Sequence, residues 1–315
     1  MRPQPSNVRR VAVIGAGTIG ASWATQFLAK GLEVAVYDPG PGSETRIRSF
    51  IEKAWSTLQQ LGLDDQADPS RLFFFDDPAD AVTGADFVQE SGPENLKEKH
   101  NLYAKLEPKL PLATVVASST SGFMPSDLQA GRVGPERYVV GHPFNPPHLI
   151  PLVEVVGGKA TDSSVIDWTQ AFYDHLGKKT IRIEKEAPGH VANRMQVALY
   201  REAIYLVLEG IASPADVDAA IAYGPGLRWA LMGPHALHEL AGGQGGMRHQ
   251  LEHLGPGISA WWSDLGKPDI TPKTIDQLVS AYEAGNPSTV DELTKERDVL
   301  LIELLKTLRQ ARATL

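Results

Sequence analysis

Short runs rich in Val and Ile alternate with longer amphipathic stretches through the first half of the chain, which has 315 residues. Apolar runs separated by helix-length intervals build a parallel sheet covered by helices. The pattern predicts strands at Arg10 to Ile14, Glu33 to Tyr37, Leu72 to Phe75, Asp86 to Gln89, Thr114 to Ala117, Tyr138 to Gly141, Leu152 to Val156 and Thr180 to Ile183. Helices fill Gly17 to Lys30, Glu44 to Leu61 and Leu96 to Leu106, and the polar stretch near Leu63 to Arg71 reads as a surface loop. The character changes at Glu186-Ala187-Pro188-Gly189. From Val191 to Glu209 the apolar residues Val191, Met195, Ala198, Leu199, Ala203, Leu206 and Val207 recur at helical spacing. Ser213-Pro214-Ala215-Asp216 then opens another helix, with Ser as cap and Pro at the first helical position. No strand pattern follows. The expected architecture is α/β: a Rossmann-type, mostly parallel sheet domain over residues 1–187, then an all-helical C-terminal domain over residues 188–315.

Composition narrows the function classes. The length exceeds the ~100–200 residues of one domain. A net charge of −8 argues against nucleic acid and anionic membranes as partners. The absence of cysteine excludes disulfides, thiolate metal sites and a cysteine nucleophile, and suits a reducing cytoplasm; no metal is expected. Arg9-Arg10 before Val11 to Ile14 imitates an export signal, but the apolar run stops at Gly15. Nothing elsewhere approaches the ~18 apolar residues of a membrane helix.

Val11 to Gly20 reads V-A-V-I-G-A-G-T-I-G, a strand running into Gly15-x-Gly17-x-x-Gly20 and then a helix. In that context Gly15 permits the tight turn, Gly17 lets backbone approach a pyrophosphate, and Gly20 lets helix and sheet pack closely. The helix start, with Thr18 and Ile19, offers amide donors to phosphate. Asp38 follows Gly20 by 18 residues, at the end of the second strand, where a carboxylate accepts from ribose hydroxyls and repels a 2′-phosphate. NAD is therefore expected over NADP, with Arg46 and Arg48 the nearby cations that argue the other way.

A second constellation is His142-Pro143-Phe144-Asn145-Pro146, followed by Glu154 in a Val-rich strand. A buried carboxylate needs a partner, and a His-Glu pair at a strand end makes a general base. The same spacing also fits a turn histidine and an unrelated salt bridge. Ser118-Ser119-Thr120-Ser121 ends another strand, where hydroxyls either hold a polar ligand or cap a helix. The run Glu90 to Lys99 reads as a solvated helix start. Asn193 and Arg194 follow Pro188-Gly189 and face either a cleft or solvent.

Taken together, these segments resemble the 3-hydroxyacyl-CoA dehydrogenase superfamily over nearly the whole chain. The resemblance implies an NAD-dependent oxidation of a 3-hydroxy acid, with His142 as base, Glu154 as its partner, Ser121 as hydrogen-bond donor to substrate and Asn193 as a substrate-orienting residue. It also implies that Glu94 and Lys99 contact the cofactor, that the helical domain binds substrate, and that the chain forms a homodimer. Pro143 stands where the fatty-acid members carry Phe. The segments Gly226 to Gly233 and Leu240 to His249 are most similar to the branch that oxidises L-carnitine to 3-dehydrocarnitine. The L-gulonate dehydrogenases and lambda-crystallins come next, so L-gulonate, a short 3-hydroxyacyl-CoA, or a non-catalytic crystallin-like or NAD-sensing role are the alternatives. Phe144, Tyr223, Trp229 and Trp23 are candidate aromatic faces for a trimethylammonium group, and Arg228 is a candidate for a carboxylate.

Overall fold

The computed structural model describes residues 2–286 and 288–314. The first part of the chain alternates β1 (Arg10–Ile14), α1 (Thr18–Ala29), β2 (Glu33–Tyr37), α2 (Ser43–Leu61), β3 (Leu72–Phe75), α3 (Pro78–Ala81), β4 (Phe87–Glu90), α4 (Leu96–Leu106), β5 (Val115–Ser118) and α5 (Pro125–Gln129). It continues through β6 (Tyr138–Pro143), β7 (Leu152–Gly157), α6 (Ser163–His175) and β8 (Lys179–Ile183). Every later element is helical: α7 (Ala192–Leu208), α8 (Pro214–Ala222), α9 (Pro225–Trp229), α10 (Pro234–Ala241), α11 (Gly246–Asp264), α12 (Pro272–Gly285) and α13 (Val290–Ala313). The helix α6 has no counterpart in the sequence reading. Asp162 caps it by accepting from the Ser164 amide, and Val165, Thr169, Phe172 and Tyr173 form its buried face.

The eight strands form one sheet in the order β3-β2-β1-β4-β5-β6-β7-β8. All neighbours are parallel except β6 and β7. Alternate strand residues face opposite sides, and both sides are apolar, as a sheet covered on both faces requires. Val11, Val13, Val34, Val36, Phe87 and Val153 pack on one side with Trp23, Phe27, Ile47, Phe172 and Tyr173. On the other side Ile14, Val88, Val116 and Val140 pack with Tyr103, Leu106 and Leu128. Each such side chain contributes about 1.5–3 kcal/mol of burial. Trp23 belongs to this core and is fully buried, its ring 5.3 Å from those of Phe27 and Tyr173. It is therefore not available as a substrate-facing aromatic, because α1 lays its whole length on the sheet.

The strand order reverses between β1 and β4, which opens a crevice at the carboxyl ends of those strands. The antiparallel β6–β7 pairing sets His142 directly opposite Glu154. That register is the reason for their spacing in the chain.

Two compact units result. One comprises the chain up to Arg194 together with Leu301–Lys306; the other comprises Met195–Leu300 and the residues from Thr307 on. The first unit includes Val191 and Ala192, whose amides are bonded to Glu154. In the second unit, Ser213 caps α8 as its sequence predicts, accepting from the Asp216 amide. Thr271 and Thr289 form capping boxes at α12 and α13. No described helix is long and apolar enough to cross a membrane.

Candidate active site

The glycine-rich turn joins β1 to α1, and each glycine meets a different constraint. Gly15 has φ +103°, and a β-carbon there would lie 2.5 Å from the Ser91 carbonyl oxygen. A β-carbon on Gly20 would lie 1.8 Å from the Gly15 carbonyl oxygen, so no larger residue fits between helix and strand. Gly17 differs: a β-carbon there meets nothing within 4 Å. Its small size is not required by packing; it leaves open space at the first turn of α1, which no side chain caps.

Beside the turn is a cleft of about 510 Å³, lined by Ile14, Gly15, Asp38, Gly92, Lys99 and Leu102 among others. Asp38 accepts from the Ala16 amide at 2.7 Å on one oxygen, and from the Gly40 amide at 2.8 Å and the Ser43 hydroxyl at 2.6 Å on the other. Burial raises its pKa, but the Ser43, Ala16 and Gly40 hydrogen bonds and the Arg46 charge outweigh that, and the net shift is downward. The carboxylate is thus charged and retains lone-pair capacity toward the cleft. Arg48 is engaged by Glu44, at 2.7 Å. Arg46 donates to Ser43 and to the Pro41 carbonyl, so both nearby arginines have protein partners. An open cradle at a helix start with a charged carboxylate beside it fits NAD. Gly15, Gly17, Thr18, Ile19, Gly20 and Asp38 are the residues that would hold it.

The sequence reading missed what lies beneath this cleft. The run taken as a solvated helix start contains a buried ion pair: Glu90 and Lys99 are 0% and 1% exposed, with the Lys99 Nζ donating to Glu90 Oε1 at 2.7 Å. Glu90 also accepts from the Gly92 amide, the Tyr103 hydroxyl and the Ser118 hydroxyl. Burial, and then the Glu90 charge, push the Tyr103 phenol well above its ordinary pKa. The partners come from β4, α4 and β5, so no local pattern reveals them. Together they fix the Ser91-Gly92 backbone against which Gly15 packs.

Glu94 is half exposed and turned toward the Ser-rich turn. Its Oε1 accepts from the Ser121 and Gly122 amides at 3.2 and 3.1 Å and from the Thr120 hydroxyl. Ser121 is exposed on that turn, whereas Ser118 is buried below it.

At the end of β6, His142 Nδ1 lies 2.8 Å from Glu154 Oε2. The other Glu154 oxygen accepts from the Val191 and Ala192 amides, both at 2.9 Å. Glu154 is fully buried and His142 is 4% exposed. Burial raises the Glu154 pKa, but the His142 hydrogen bond and the two amides reverse this, and it falls below its ordinary 4.5. A charged carboxylate only accepts, so His142 donates through Nδ1–H, which leaves the lone pair of the neutral ring on Nε2. The two side chains are thus hydrogen-bonded to one another in the structure. His190, absent from the sequence candidates, packs its ring 5.0 Å from that of His142.

Phe144 and Asn193, also in this unit, are half-buried. In the second unit Tyr223 is 83% and Trp229 44% exposed, and Arg228 is exposed beside it on α9.

Residues 10–187 match the 3-hydroxyacyl-CoA dehydrogenase NAD binding domain, and residues 189–291 match the 3-hydroxyacyl-CoA dehydrogenase C-terminal domain. The chain belongs to the 3-hydroxyacyl-CoA dehydrogenase family. It is an NAD-dependent dehydrogenase acting on a secondary alcohol. Within this family it is similar to the L-carnitine dehydrogenase of Streptomyces coelicolor, at 47% identity over 303 residues covering 96% of this chain and 95% of that one. The L-carnitine dehydrogenase of Oceanobacillus iheyensis is 45% identical, with 95% and 97% covered. Among solved structures, a 5-formyl-3-hydroxy-2-methylpyridine 4-carboxylic acid 5-dehydrogenase, an NAD-dependent dismutase, superposes with a TM-score of 0.83 at 34% identity, over 96% of this chain and 99% of that one. The 3-hydroxybutyryl-CoA dehydrogenase of Escherichia coli K12 gives 0.67 at 29% identity, over 89% of this chain and 58% of that one.

Proposed function

We propose that this dehydrogenase oxidises the 3-hydroxyl of L-carnitine to 3-dehydrocarnitine, with His142 as general base and Glu154 as the residue that orients it. The observation that carries the mechanism is the two-sided hold on Glu154: one oxygen on two amides, the other on His142 Nδ1–H. This fixes the imidazole tautomer so that Nε2 takes the proton of the substrate hydroxyl. The imidazolium that forms is stabilised by the adjacent carboxylate. Bound NAD supplies the acceptor for the hydride on the alcohol carbon. Oxygen–proton and carbon–hydrogen bonds break as the C=O bond forms, which limits charge on the alkoxide. Ser121 is assigned to donate a hydrogen bond to the substrate oxygen and Asn193 to orient the substrate; Glu94 and Lys99 join Asp38 as the cofactor side of the site.

The choice of L-carnitine rests on relatives 39–47% identical over nearly the whole chain that bear that name. Among the exposed residues of the second unit, Trp229 and Tyr223 are candidates for a trimethylammonium and Arg228 for a carboxylate; Phe144 is a candidate aromatic of the first unit. Purified protein and NAD should be tested against L-carnitine, D-carnitine, L-gulonate and 3-hydroxybutyryl-CoA. NADH formation is expected fastest with L-carnitine, and faster turnover of L-gulonate or the CoA ester overturns the substrate. Absence of NADH with every compound supports the non-catalytic, crystallin-like or NAD-sensing reading. Trp229→Ala should raise KM for L-carnitine by the equivalent of about 0.5–2 kcal/mol at unchanged Tm; an unchanged KM removes Trp229 from the substrate's contacts.

We further propose a cytoplasmic homodimer. The apolar residues Met195, Val197, Tyr200, Leu254, Trp261 and Trp262 of the second unit are all exposed, and a second copy of the chain would cover such side chains. Light scattering after gel filtration tests this, and a monomeric mass refutes it.

A further inference from the structure

His190 is the one described non-glycine residue with positive φ, at 52°, and it follows Gly189 at φ 73°. Side chains rarely tolerate this conformation, and glycine would adopt it without strain. The two left-handed residues turn the chain so that the next two amides, Val191 and Ala192, both reach Glu154 Oε1. The side chain is 2% exposed, with Nε2 3.1 Å from the Thr120 carbonyl oxygen. A carbonyl only accepts, so Nε2 carries the proton and Nδ1 is bare; Nδ1 is buried with no partner. A phenylalanine would fill this space without an orphaned nitrogen, and a glycine would make the turn without strain. Retaining histidine at both costs points to the bond with Thr120.

We propose that His190 is a positioning residue that ties the Ser121 turn to the carboxylate pocket of the general base. Its Nε2–H holds Thr120, whose hydroxyl and following amides are held by Glu94. Its backbone shapes the amide pair on Glu154, and its ring packs on His142. The distance between the hydroxyl donor and the base is thereby set from one residue. The groups facing it are His142, Glu154 and Glu94. Burial, the largest cause, lowers its pKa, with the Thr120 bond and the Glu154 and Glu94 charges opposing and His142 assisting. The proposal rests on the assignment of His142 and Ser121 given above.

The test compares His190→Phe, His190→Gly and His190→Gln with wild type in L-carnitine oxidation, NADH binding and thermal unfolding. His190→Phe keeps the ring and loses the donor; His190→Gly keeps the turn and loses the side chain. Both should lower kcat by about ten- to a hundred-fold, the scale of small misplacement of reacting groups, with NADH affinity unchanged. His190→Gln, whose amide can donate to Thr120, should recover most of that loss. All variants should keep the same number of ionisations in kcat/KM against pH. In wild-type protein, nitrogen-15 spectra should show His190 protonated at Nε2 and His142 at Nδ1. Wild-type kcat in both Phe and Gly variants, or an Nδ1-protonated His190, overturns the proposal while leaving the base assignment intact. Loss of the pH limb in His190→Gln would instead identify His190 as the base and overturn both. If His190→Phe fails to fold, the Gly and Gln pair decides alone: equal kcat in the two refutes the tether.

Discussion

Replacing Glu154 by Gln changes little in volume and much in hydrogen bonding. The Val191 and Ala192 amides require an acceptor at Oε1, so the Gln carbonyl must take that position. The new NH2 group then points at His142 Nδ1, where the native carboxylate accepted a proton at 2.8 Å. Two donors cannot face each other, so the imidazole shifts its proton to Nε2 to accept from the amide. Nε2 is the atom that must receive the substrate proton, and it is now blocked. The corresponding change in a Ser-His-Asp triad costs about ten-thousand-fold in kcat, and we expect a loss of about a thousand- to ten-thousand-fold here, or about 4–5.5 kcal/mol of barrier. Losing the charge on a buried acceptor of three donors should also cost about 1–3 kcal/mol of stability. The folded Glu154 ionises more readily than the unfolded one. Its contribution to stability is complete above the ordinary value of 4.5 and disappears as pH falls through the lower folded value. That acid-side loss should be absent from E154Q. The assays are NADH formation under saturating NAD, NADH affinity by fluorescence, and urea unfolding at neutral and acidic pH. A kcat within about ten-fold of wild type in folded E154Q would refute the tautomer argument.

Asp38→Ala should weaken NAD binding and erode the preference over NADP, as measured by the ratio of kcat/KM for the two cofactors; better use of NADP by wild type would contradict the assignment. Gly17→Ala should leave Tm unchanged, since its β-carbon meets nothing within 4 Å, yet raise the NADH Kd where the pyrophosphate approaches; tight NADH binding by this variant would show that the cradle is elsewhere. Lys99→Met should destabilise the fold by about 3–5 kcal/mol in urea by leaving Glu90 buried without its cation, and the double change with Glu90→Gln should recover part of that loss.

The sheet was legible because its strands are apolar on both faces and its glycine turn stands between a strand and a helix. The place of Asp38 was legible for a related reason: it directly follows the second strand, whose carboxyl end opens on the cleft. The His142–Glu154 pair was only half legible, since its meaning depends on an antiparallel register that spacing does not specify. Glu90 and Lys99 show the opposite failure. Their charged surroundings in sequence imitate solvent, while the partners that make burial tolerable, Tyr103 and Ser118, come from two other elements. Trp23 carries no mark that separates a core ring from a ligand-facing one until α1 is laid on the sheet. His190 had one local signal, a bulky residue directly after Pro188-Gly189, but its left-handed backbone and its bond to Thr120 are tertiary facts.

The central claim is that His142 removes the substrate's hydroxyl proton, and the most direct measurement is the single-turnover rate of NADH formation from L-carnitine by His142→Ala beside wild type, with NADH affinity measured on the same preparations. Wild type should form NADH rapidly, and the variant should lose at least about a thousand- to ten-thousand-fold with equal affinity for NADH. A variant that reduces NAD at close to the wild-type rate would contradict it.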